Sequence, residues 1–388
     1  MKNYLYIDKG FHKAQTENLH TAIRRNSGTI ISLDEEGVID YEGNQSLLGR
    51  YSTEMFKHVA HTFFWGKRQY ETVKSQIPTN SNYSISGHPR FELLKPAYHY
   101  LYASDVKKLN KTYGNFILIN TNMGSGNNLR GDDFVIKNYG ERLKNIRDIV
   151  TFDKQKRELY VDLIKGISPV SDKLIILRPH PEEDIAWYQQ AFLGLKNVKV
   201  IYQGSVLPWL LAADVMIHPD CTTAIESLFL GKKAISFLPS DSPKELIANL
   251  PVQISNSFSS VENLISHLVD PEYTSSEIDD IDLQLLEEYF NYSENSIQII
   301  ADQIASMADL ESANKEWNYT LKDVFYLRYR SIRNKLKDSK AKELSHKKLK
   351  GLNKGEVFRI RDLVVGEDKR LKGVKIKRIT NELFHFSA

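Results

Sequence analysis

Only one cysteine, Cys221, stands among the 388 residues of the chain. A single thiol excludes an intramolecular disulfide and is typical of a reducing compartment. Long apolar runs are also missing, since no stretch approaches the ~20 apolar residues that a membrane-spanning helix needs. The first ten residues, MKNYLYIDKG, lack the apolar core of a signal peptide. These absences predict a cytoplasmic protein.

Several signatures of catalysis are absent as well. The histidines do not show metal-ligand spacing, so no metal ion is expected. The GSG at residues 124–126 fits neither a Walker loop nor the full dinucleotide fingerprint. The acids Asp280 and Asp282 stand in a polar stretch before an apolar periodic segment, where aspartate is a common N-cap residue. The chemistry must therefore be sought elsewhere in the chain.

What is present is ordinary for a globular protein, with 41% hydrophobic and 26% charged residues. The length exceeds that of one compact core and predicts two domains. The charge is unevenly distributed, because residues 321–388 carry 20 Lys/Arg against 8 Asp/Glu. This basic segment predicts an anionic partner, for which a membrane surface, nucleic acid and an acidic polymer are the candidates. A solvated basic tail is the alternative.

Short apolar runs alternate with longer amphipathic stretches, a rhythm typical of βα units and a parallel sheet. The strands predicted for the first series are 4–7, 29–33, 61–65 and 83–86, and those for the second are 116–120, 173–179, 198–202, 214–219 and 233–238. Long helices are predicted over 135–166 and 283–307, and a basic helix over 320–350. The segments 357–365 and 374–386 alternate enough to predict strands.

The pattern predicts an α/β protein with two Rossmann-like, doubly wound domains. The boundaries fall at 1–110 for the first domain, 111–310 for the second and 311–388 for a basic, mostly helical C-terminal segment. In such sheets ligands bind outside the carboxyl ends of the strands. Polar residues follow almost every predicted strand, and these are the candidates for the site.

An acidic triplet follows the second predicted strand: Asp34, Glu35 and Glu36, with Gly37 directly after. A base that removes a proton from a hydroxyl must be a carboxylate or a histidine within hydrogen-bond reach. Adjacent like charges raise one another's pKa and so strengthen such a base. A glycine at this point allows a tight turn or a close ligand approach. The alternative is a solvated turn.

Two further strand exits carry phosphate-binding chemistry. Thr222 and Thr223 open a predicted helix, where free backbone N–H groups favour an anion, and Glu226 lies on the same face. A plain N-cap with Glu226 completing a capping box is the alternative. His180 is held between two prolines, which restrict the backbone and fix the direction of the imidazole. It predicts a donor to a phosphate, and a turn histidine is the alternative.

Six short motifs, in order, give the chain a resemblance. They are LDEEG, FFWG, GHPRFELL, YGNFILINTN, RPHPEED and CTTAIESLFLGKKAISF, and together they span roughly residues 5–240. The chain resembles the bacterial surface carbohydrate biosynthesis proteins and, more broadly, GT-B glycosyltransferases that use CMP-activated sugars. Those families share an acidic motif followed by glycine, an HP motif and a Ser/Thr pair. Here these read Glu35-Glu36-Gly37, His180-Pro181 and Thr222-Thr223.

The resemblance implies a role for each matching residue. Glu35 would be the general base, with Asp34 as the alternative, and His180 would contact the CMP phosphate and assist its departure. Thr222 and Thr223 would bind the same phosphate. The rest of the donor site would be formed by Arg178, Pro181, Gln203, Gly204, Glu226, Asn120, Thr121 and Asn122. The acceptor side of the cleft would be formed by Glu36, Gly37, His88 and Arg90.

The resemblance thus implies transfer of a nonulosonic acid or Kdo-type sugar from a CMP donor to a hydroxyl of a bacterial surface glycan, without metal or cofactor. The expected partners are the nucleotide sugar, a glycan or glycolipid acceptor and, through residues 321–388, the anionic inner face of the cytoplasmic membrane, with no nucleic acid. Two alternatives remain. One is transfer of glycerol or ribitol phosphate from a CDP-alditol, for which His180 and His218 would serve. The other is a non-catalytic scaffold that binds a membrane or a polyanion.

Overall fold

The computed structural model describes residues 4–10, 13–25, 27–38, 41, 45–141, 143, 145–270, 278–307, 325, 329, 332, 354–367, 373–378 and 384–387. Most of the predicted segment 311–388 therefore lies outside the described residues. Within the described part of the chain, no helix is both long and apolar enough to cross a membrane.

The first half of the fold is a parallel sheet of four strands in the order β1-β2-β3-β4. All four strands were predicted from the sequence. Strands β2 and β3 are apolar runs that are buried on both faces. The elements are β1 (Tyr4–Asp8), α1 (Lys13–Arg25), β2 (Gly28–Leu33), α2 (Gln45–Arg50), α3 (Thr53–Phe56), β3 (His61–Phe64), α4 (Lys67–Val73), a 3₁₀ helix (Lys74–Gln76), β4 (Tyr83–Ile85), α5 (Pro89–Glu92), a second 3₁₀ helix (Pro96–Leu101) and α6 (Ala103–Tyr113).

The second half is a parallel sheet of six strands in the order β10-β9-β8-β5-β6-β7. Its elements are β5 (Phe116–Asn120), α7 (Asp132–Tyr139), α8 (Ile146–Ile167), β6 (Leu174–Arg178), α9 (Ile185–Ala191), β7 (Val198–Val200), α10 (Leu207–Ala212), β8 (Val215–His218), α11 (Thr223–Phe229), β9 (Ala234–Phe237), a 3₁₀ helix (Lys244–Leu246), α12 (Asn249–Gln253), β10 (Ser255–Phe258) and α13 (Val261–Val269). The strand order reverses between β5 and β8, which makes this sheet doubly wound. The predicted α/β fold class with two parallel sheets is confirmed.

The remaining elements are α14 (Asp280–Phe290), α15 (Ser296–Met307), α16 (Lys354–Glu367) and an antiparallel hairpin of β11 (Lys375–Arg378) and β12 (Phe384–Ser387). The single helix predicted over 283–307 is wrong: Asn291 takes a left-handed conformation and ends α14. The helix predicted over 135–166 likewise divides into α7 and α8. The strand predicted over 357–365 is also wrong, since these residues lie in α16.

The polar stretch before α14 caps the N-terminus of that helix, as the sequence predicted. The Asp279 side chain accepts from the backbone N–H of Asp282, and the Asp282 side chain accepts from that of Asp279, which completes a capping box. Lys233 donates to the Asp282 carboxylate at 2.8 Å. The acids at 280–282 therefore start a helix.

Helices α14 and α15 return the chain to the first sheet. The Asn291 side chain donates to the Ile85 carbonyl at 3.2 Å, and Lys95 donates to the Glu294 carbonyl at 2.8 Å. The buried Glu92 carboxylate accepts from the Ser296 backbone at 3.2 Å. The junction of the two helices is thereby fixed against the end of β4 and α5.

Two glycines of the quoted motifs permit this packing. A Cβ on Gly66 would lie 2.2 Å from the Tyr289 carbonyl carbon and 2.4 Å from the Glu288 oxygen. A Cβ on Gly87 would lie 2.7 Å from the Phe290 oxygen, and its φ of +72° favours glycine as well. The glycines of FFWG and GHPRF therefore let the α14 backbone approach the first sheet closely.

We expect Gly66→Ala to lower the free energy of unfolding by about 3 kcal/mol, because the methyl group meets backbone atoms that cannot rotate away. Chemical denaturation followed by circular dichroism measures this change. Gly49→Ala is the matched control, since Gly49 lies in α2 with open space around its missing Cβ. There alanine should be neutral or stabilise by up to about 1 kcal/mol. Equal effects at both positions would contradict the close approach at Gly66.

Candidate functional site

The candidate site lies at the carboxyl ends of β5 and β8, where the strand order of the second sheet reverses. This crevice is the position at which open α/β sheets bind ligands. Strand β5 ends at Asn120, and the loop after β8 runs from Pro219 to Thr222, directly before α11. The Asn122 amide donates to the Asp220 carboxylate at 2.8 Å and so joins the two loops.

Buried hydrogen bonds hold the two loops from below. Asp220 also accepts from the Ala248 backbone at 3.1 Å, and the Lys156 ammonium lies 3.5 Å away. Lys156 pairs with Asp153 at 3.0 Å, and Asp153 accepts from the backbone N–H of Ser125 at 2.9 Å. The two carboxylates raise the pKa of Lys156 against the effect of burial. The loop 124–126 thus rests on a charged cluster.

Glu183 organises the loops after β5 and β6, and its role was not anticipated from the sequence. Its carboxylate is fully buried and accepts from the Thr121 hydroxyl at 2.8 Å, the Met123 backbone at 3.0 Å, the His180 backbone at 3.1 Å and the Tyr188 hydroxyl at 2.6 Å. Burial raises the pKa of Glu183, and these hydrogen bonds oppose the rise.

His180 itself is only partly buried. Its Nδ1 accepts from the Glu182 backbone at 3.3 Å, so the proton of the neutral ring resides on Nε2. The imidazole is therefore orientated by its own turn, with its N–H on Nε2. Pro181 follows at a partly buried position.

Arg178 lies at the carboxyl end of β6, beside the crevice. It ends β6 opposite Asn120 of β5, and only 7% of its surface is exposed. Its guanidinium donates to the carbonyls of Gln203 and Gly204 at 2.8 and 2.6 Å. Arg178 thus fixes the loop after β7, in which Gln203 and Gly204 are exposed.

The residues at the start of α11 are arranged differently from a plain capped helix. The N-cap Thr222 makes no side-chain hydrogen bond to the helix, so the capping box considered for Thr222 and Glu226 is wrong. The Thr223 Oγ1 is buried and has no hydrogen-bond partner of normal geometry. Against the larger effect of burial, Thr223 lowers the pKa of the nearby Cys221 thiol. Burial raises the pKa of Cys221 to about 11, so the thiol is protonated at neutral pH.

Glu226 connects the two halves of the cleft. Burial raises its pKa, while the positive charges of Arg90, from the first half, and Arg178, from the second, lower it. Burial and, to a lesser extent, the charge of Glu226 raise the pKa of Tyr102. The charge of Arg90, on the predicted acceptor side, therefore reaches Glu226, on the predicted donor side.

The acidic triplet divides into three different positions. Asp34 is buried, and its two carboxylate oxygens form a bidentate pair with the Arg50 guanidinium while also accepting from the Glu36 backbone at 3.0 Å. Asp34 thus holds the turn in place and has little capacity left as a base. Glu36 is 61% exposed at its side chain and pairs with Arg50 at 2.9 Å. A Cβ on Gly37 would lie 2.3 Å from the Gln69 amide nitrogen, so glycine permits that contact.

Glu35 is the member of the triplet that lies beside the cleft residue His88. Its side chain is 43% exposed, and its Oε2 is 4.0 Å from the His88 Nε2. Burial and the Arg90 charge lower the pKa of His88 to about 3, so the ring is neutral and the contact is no ion pair. The His88 Nδ1 accepts from the Arg90 backbone at 3.1 Å, which leaves the proton on Nε2, facing Glu35.

Buried polar atoms without partners mark the cleft. Among the described residues, the Asn120 side chain has neither its oxygen nor its nitrogen hydrogen-bonded, and the Asn122 Oδ1 and the His88 Nε2 are also unpaired. Asn120 is 3% exposed and His88 5%. Each such atom costs about 1–3 kcal/mol when it stays unsatisfied. No group of three or more potential metal ligands occurs in the same described part of the chain.

His218, by contrast, belongs to the scaffold. It is fully buried, its Nδ1 accepts from the Cys221 backbone at 3.1 Å, and its Nε2 lies 2.9 Å from the Ser255 hydroxyl. Both nitrogens are therefore engaged inside the sheet. The prediction of a second histidine for phosphate transfer does not fit this position.

The arrangement is that of an α/β protein with two parallel sheets, of which the second is doubly wound. No protein-family model and no curated protein sequence matches the chain. Among solved structures, it is similar to the UDP-GlcNAc 2-epimerase of Methanocaldococcus jannaschii, at 13% identity over 79% of this chain and 77% of that one, with a TM-score of 0.47.

Two further solved structures show the same kind of similarity. The wall teichoic acid polymerase TagF is 14% identical over 74% of this chain and 70% of its own, with a TM-score of 0.42. Anabaena Alr3699/HepE, in complex with UDP and glucose, is 12% identical over 74% of each chain, with a TM-score of 0.38.

Protonation of His218 should destabilise the fold. Burial lowers its pKa from 6.5 to about 4, so the unfolded chain binds the proton more tightly than the folded chain. The stability that the neutral ring contributes is present above pH 6.5 and is lost as the pH falls towards 4. Between pH 7 and pH 5, we expect wild type to lose about 2 kcal/mol more free energy of unfolding than His218→Asn.

Urea denaturation at the two pH values measures this difference. The variant controls for every other titrating group, because only His218 differs. Equal losses in both proteins would show that His218 is not held neutral in the folded state.

Proposed function

We propose that this chain is a glycosyltransferase that moves a nonulosonic acid or Kdo-type sugar from a CMP donor to a hydroxyl of a bacterial surface glycan such as lipopolysaccharide or capsule. The cytidine donor and the sugar class rest on the motif resemblance. The position of the reaction rests on the geometry of the cleft. The protein would act on the cytoplasmic side of the membrane, where nucleotide sugars are available.

The observation that carries the proposal is the unpaired polar layer at the switch point. Asn120 presents a buried oxygen and a buried nitrogen, and Asn122 adds a buried oxygen. Buried amides are normally satisfied. A ligand that offers donors and acceptors together, as a nucleotide does, would restore these hydrogen bonds and recover free energy on binding. An apolar ligand would leave them unsatisfied.

The leaving phosphate would be received by residues around the same crevice. His180 can donate from Nε2, because its Nδ1 accepts from the chain. The Thr223 hydroxyl has only a weak thiol beside it and can rotate towards an anion. Glu226, between Arg90 and Arg178, would accept from the ribose hydroxyls. No step requires a metal ion or cofactor.

The acceptor hydroxyl would lose its proton to Glu35. As the hydroxyl oxygen forms its bond to the anomeric carbon, the bond from that carbon to the CMP phosphate breaks, and the phosphate leaves towards His180. The neutral His88 presents Nε2–H to Glu35 and would orientate the carboxylate. The present 4.0 Å separation exceeds hydrogen-bond length, so the pair would tighten when the acceptor binds.

The polyol-phosphate alternative is weaker on this geometry, since it drew on two histidines and His218 is engaged inside the sheet. It also leaves Glu35 and His88 without a task. The scaffold alternative leaves the buried amide of Asn120 unexplained.

Calorimetry should detect CMP binding without added metal, tighter than the binding of UMP, CDP or ADP. Asn120→Ala should weaken CMP binding about tenfold, because one buried amide loses its nucleotide contacts, and His180→Ala should weaken it about tenfold or more. Asn138→Ala is the control, since Asn138 is an exposed asparagine of α7. Equal affinities for all four nucleotides would overturn the cytidine assignment. Turnover of CDP-glycerol instead of a CMP-sugar would favour polyol-phosphate transfer.

Glu35→Gln should lower kcat by about a thousandfold, with CMP affinity unchanged, because the amide cannot accept the acceptor proton. Release of CMP from a CMP-sugar in the presence of acceptor measures this rate. Glu36→Gln is the matched control: it alters the neighbouring acid, whose side chain is exposed and pairs with Arg50. That variant should retain most of its activity. A rate that falls in Glu36→Gln and persists in Glu35→Gln would assign the base to the other acid.

A further inference from the structure

One tryptophan stands between the two residues of the acceptor side that the proposed reaction pairs. Trp65 directly follows β3, which lies between β2 and β4 in the first sheet. Glu35 follows β2, and His88 follows β4. The carboxyl ends of parallel strands share one edge of a sheet, so Trp65 is the middle member of the three. Only 2% of its surface is exposed, so any effect on a ligand must pass through its neighbours.

The indole of Trp65 fixes the peptide unit that carries Glu35. Its Nε1–H donates to the Asp34 carbonyl, which is the oxygen of the peptide bond between Asp34 and Glu35. The nitrogen of the same bond belongs to Glu35 and donates to the Lys9 carbonyl at 3.0 Å. A peptide unit is planar and rigid, so hydrogen bonds at both of its ends restrict how the backbone at Glu35 can turn.

The ring of the same tryptophan packs against His88. The centroids of the two rings lie 4.5 Å apart, with 55° between their planes. Phe91 and Phe290 hold the indole from behind, at centroid distances of 5.3 and 5.8 Å. One buried side chain therefore contacts the acidic turn through its N–H and His88 through its ring, on the two sides of the 4.0 Å gap between Glu35 and His88.

We propose that Trp65 is a positioning residue, which holds Glu35 and His88 in the relative arrangement that proton removal from the acceptor hydroxyl requires. This inference rests on the proposed function, because it takes Glu35 to be the base. Reacting groups are sensitive to position, and a displacement of about 1 Å can cost about a hundredfold in rate. A buried tryptophan with a purely structural role would instead contribute to stability alone.

Trp65→Phe tests the positioning role, because it removes the indole N–H and keeps an aromatic ring beside His88. The kcat for CMP release from a CMP-sugar in the presence of acceptor should fall about tenfold, with CMP affinity unchanged. Tyr160→Phe is the matched control, since Tyr160 is fully buried and its hydroxyl donates to the Phe237 carbonyl at 3.1 Å. That variant should lose thermal stability to a similar extent and keep its kcat. An unchanged kcat in Trp65→Phe would overturn the inference.

Combination with Glu35→Gln shows whether Trp65 acts through the base. Once the carboxylate is absent, Trp65→Phe should lower the remaining rate by less than about twofold, because residues that act as a unit are not additive. A further tenfold loss in the Glu35→Gln background would mean that Trp65 acts by another route and would overturn the inference. A full rate in Glu35→Gln alone would reject the proposed base, and the role of Trp65 in proton transfer with it.

Hydrogen exchange separates this inference from the proposed function, since it needs no turnover. The Glu35 amide should exchange about tenfold faster in Trp65→Phe than in wild type, while the amides of β5 exchange at the same rate in both. Equal exchange at Glu35 would show that Trp65 does not hold the acidic turn, whatever the activity. If wild type released no CMP from any CMP-sugar, the proposed function would fail, and faster exchange at Glu35 would still support the hold of Trp65 on this turn.

Discussion

A cluster of three phenylalanine rings joins the halves of this molecule and places the two sides of its cleft. Phe91 of α5, Phe229 of α11 and Phe290 of α14 lie with ring centroids 4.7–5.1 Å apart, and Trp65 packs on Phe91 at 5.3 Å. Helix α5 begins directly after its N-cap His88, and helix α11 begins at Thr223, so both candidate half-sites begin within two turns of this cluster. The rings belong to one buried core that also contains Ile31 of β2 and Leu118 of β5. The cleft geometry therefore depends on aromatic packing behind it.

The strands could be predicted because parallel strands buried on both faces are short, continuous apolar runs, as in FILIN and KLIILRP. The helix boundaries could not be predicted equally well. Periodicity continues through Asn291, where a left-handed conformation ends α14 and the side chain donates to the Ile85 carbonyl. In the segment 357–365, valine and isoleucine favoured a strand, but the residues form α16. The prediction for this segment rested on the β-propensity of its residues, and that propensity does not determine the structure here.

The candidate site was predictable in position and less so in the roles of its members. Topology alone brings the carboxyl ends of β5, β6 and β8 to one edge of the sheet, and Asn120, His180 and Thr223 all lie at those strand ends. Residues of the same type differ in how deeply they are buried, and the sequence alone does not show which of them are buried. Glu182, Glu183 and Asp184 are consecutive acids, yet only Glu183 is fully buried and holds two loops. The same applies to Asp34 and Glu35, of which one is bound by Arg50 and the other faces His88.

The cleft is built in two layers with opposite energetics. The lower layer, formed by Glu183, Asp220 and Asp153, has its charges paired or hydrogen-bonded, so it stabilises the loops without a ligand. The upper layer, formed by Asn120, Asn122 and His88, keeps buried polar atoms unpaired, which costs the fold free energy. Such a cost persists only where the surrounding structure holds the groups in place, as the satisfied lower layer and the phenylalanine cluster do here. Free energy stored in this way becomes available to a ligand that completes the hydrogen bonds. The arrangement therefore favours a preorganised polar ligand site over a surface with a purely structural role.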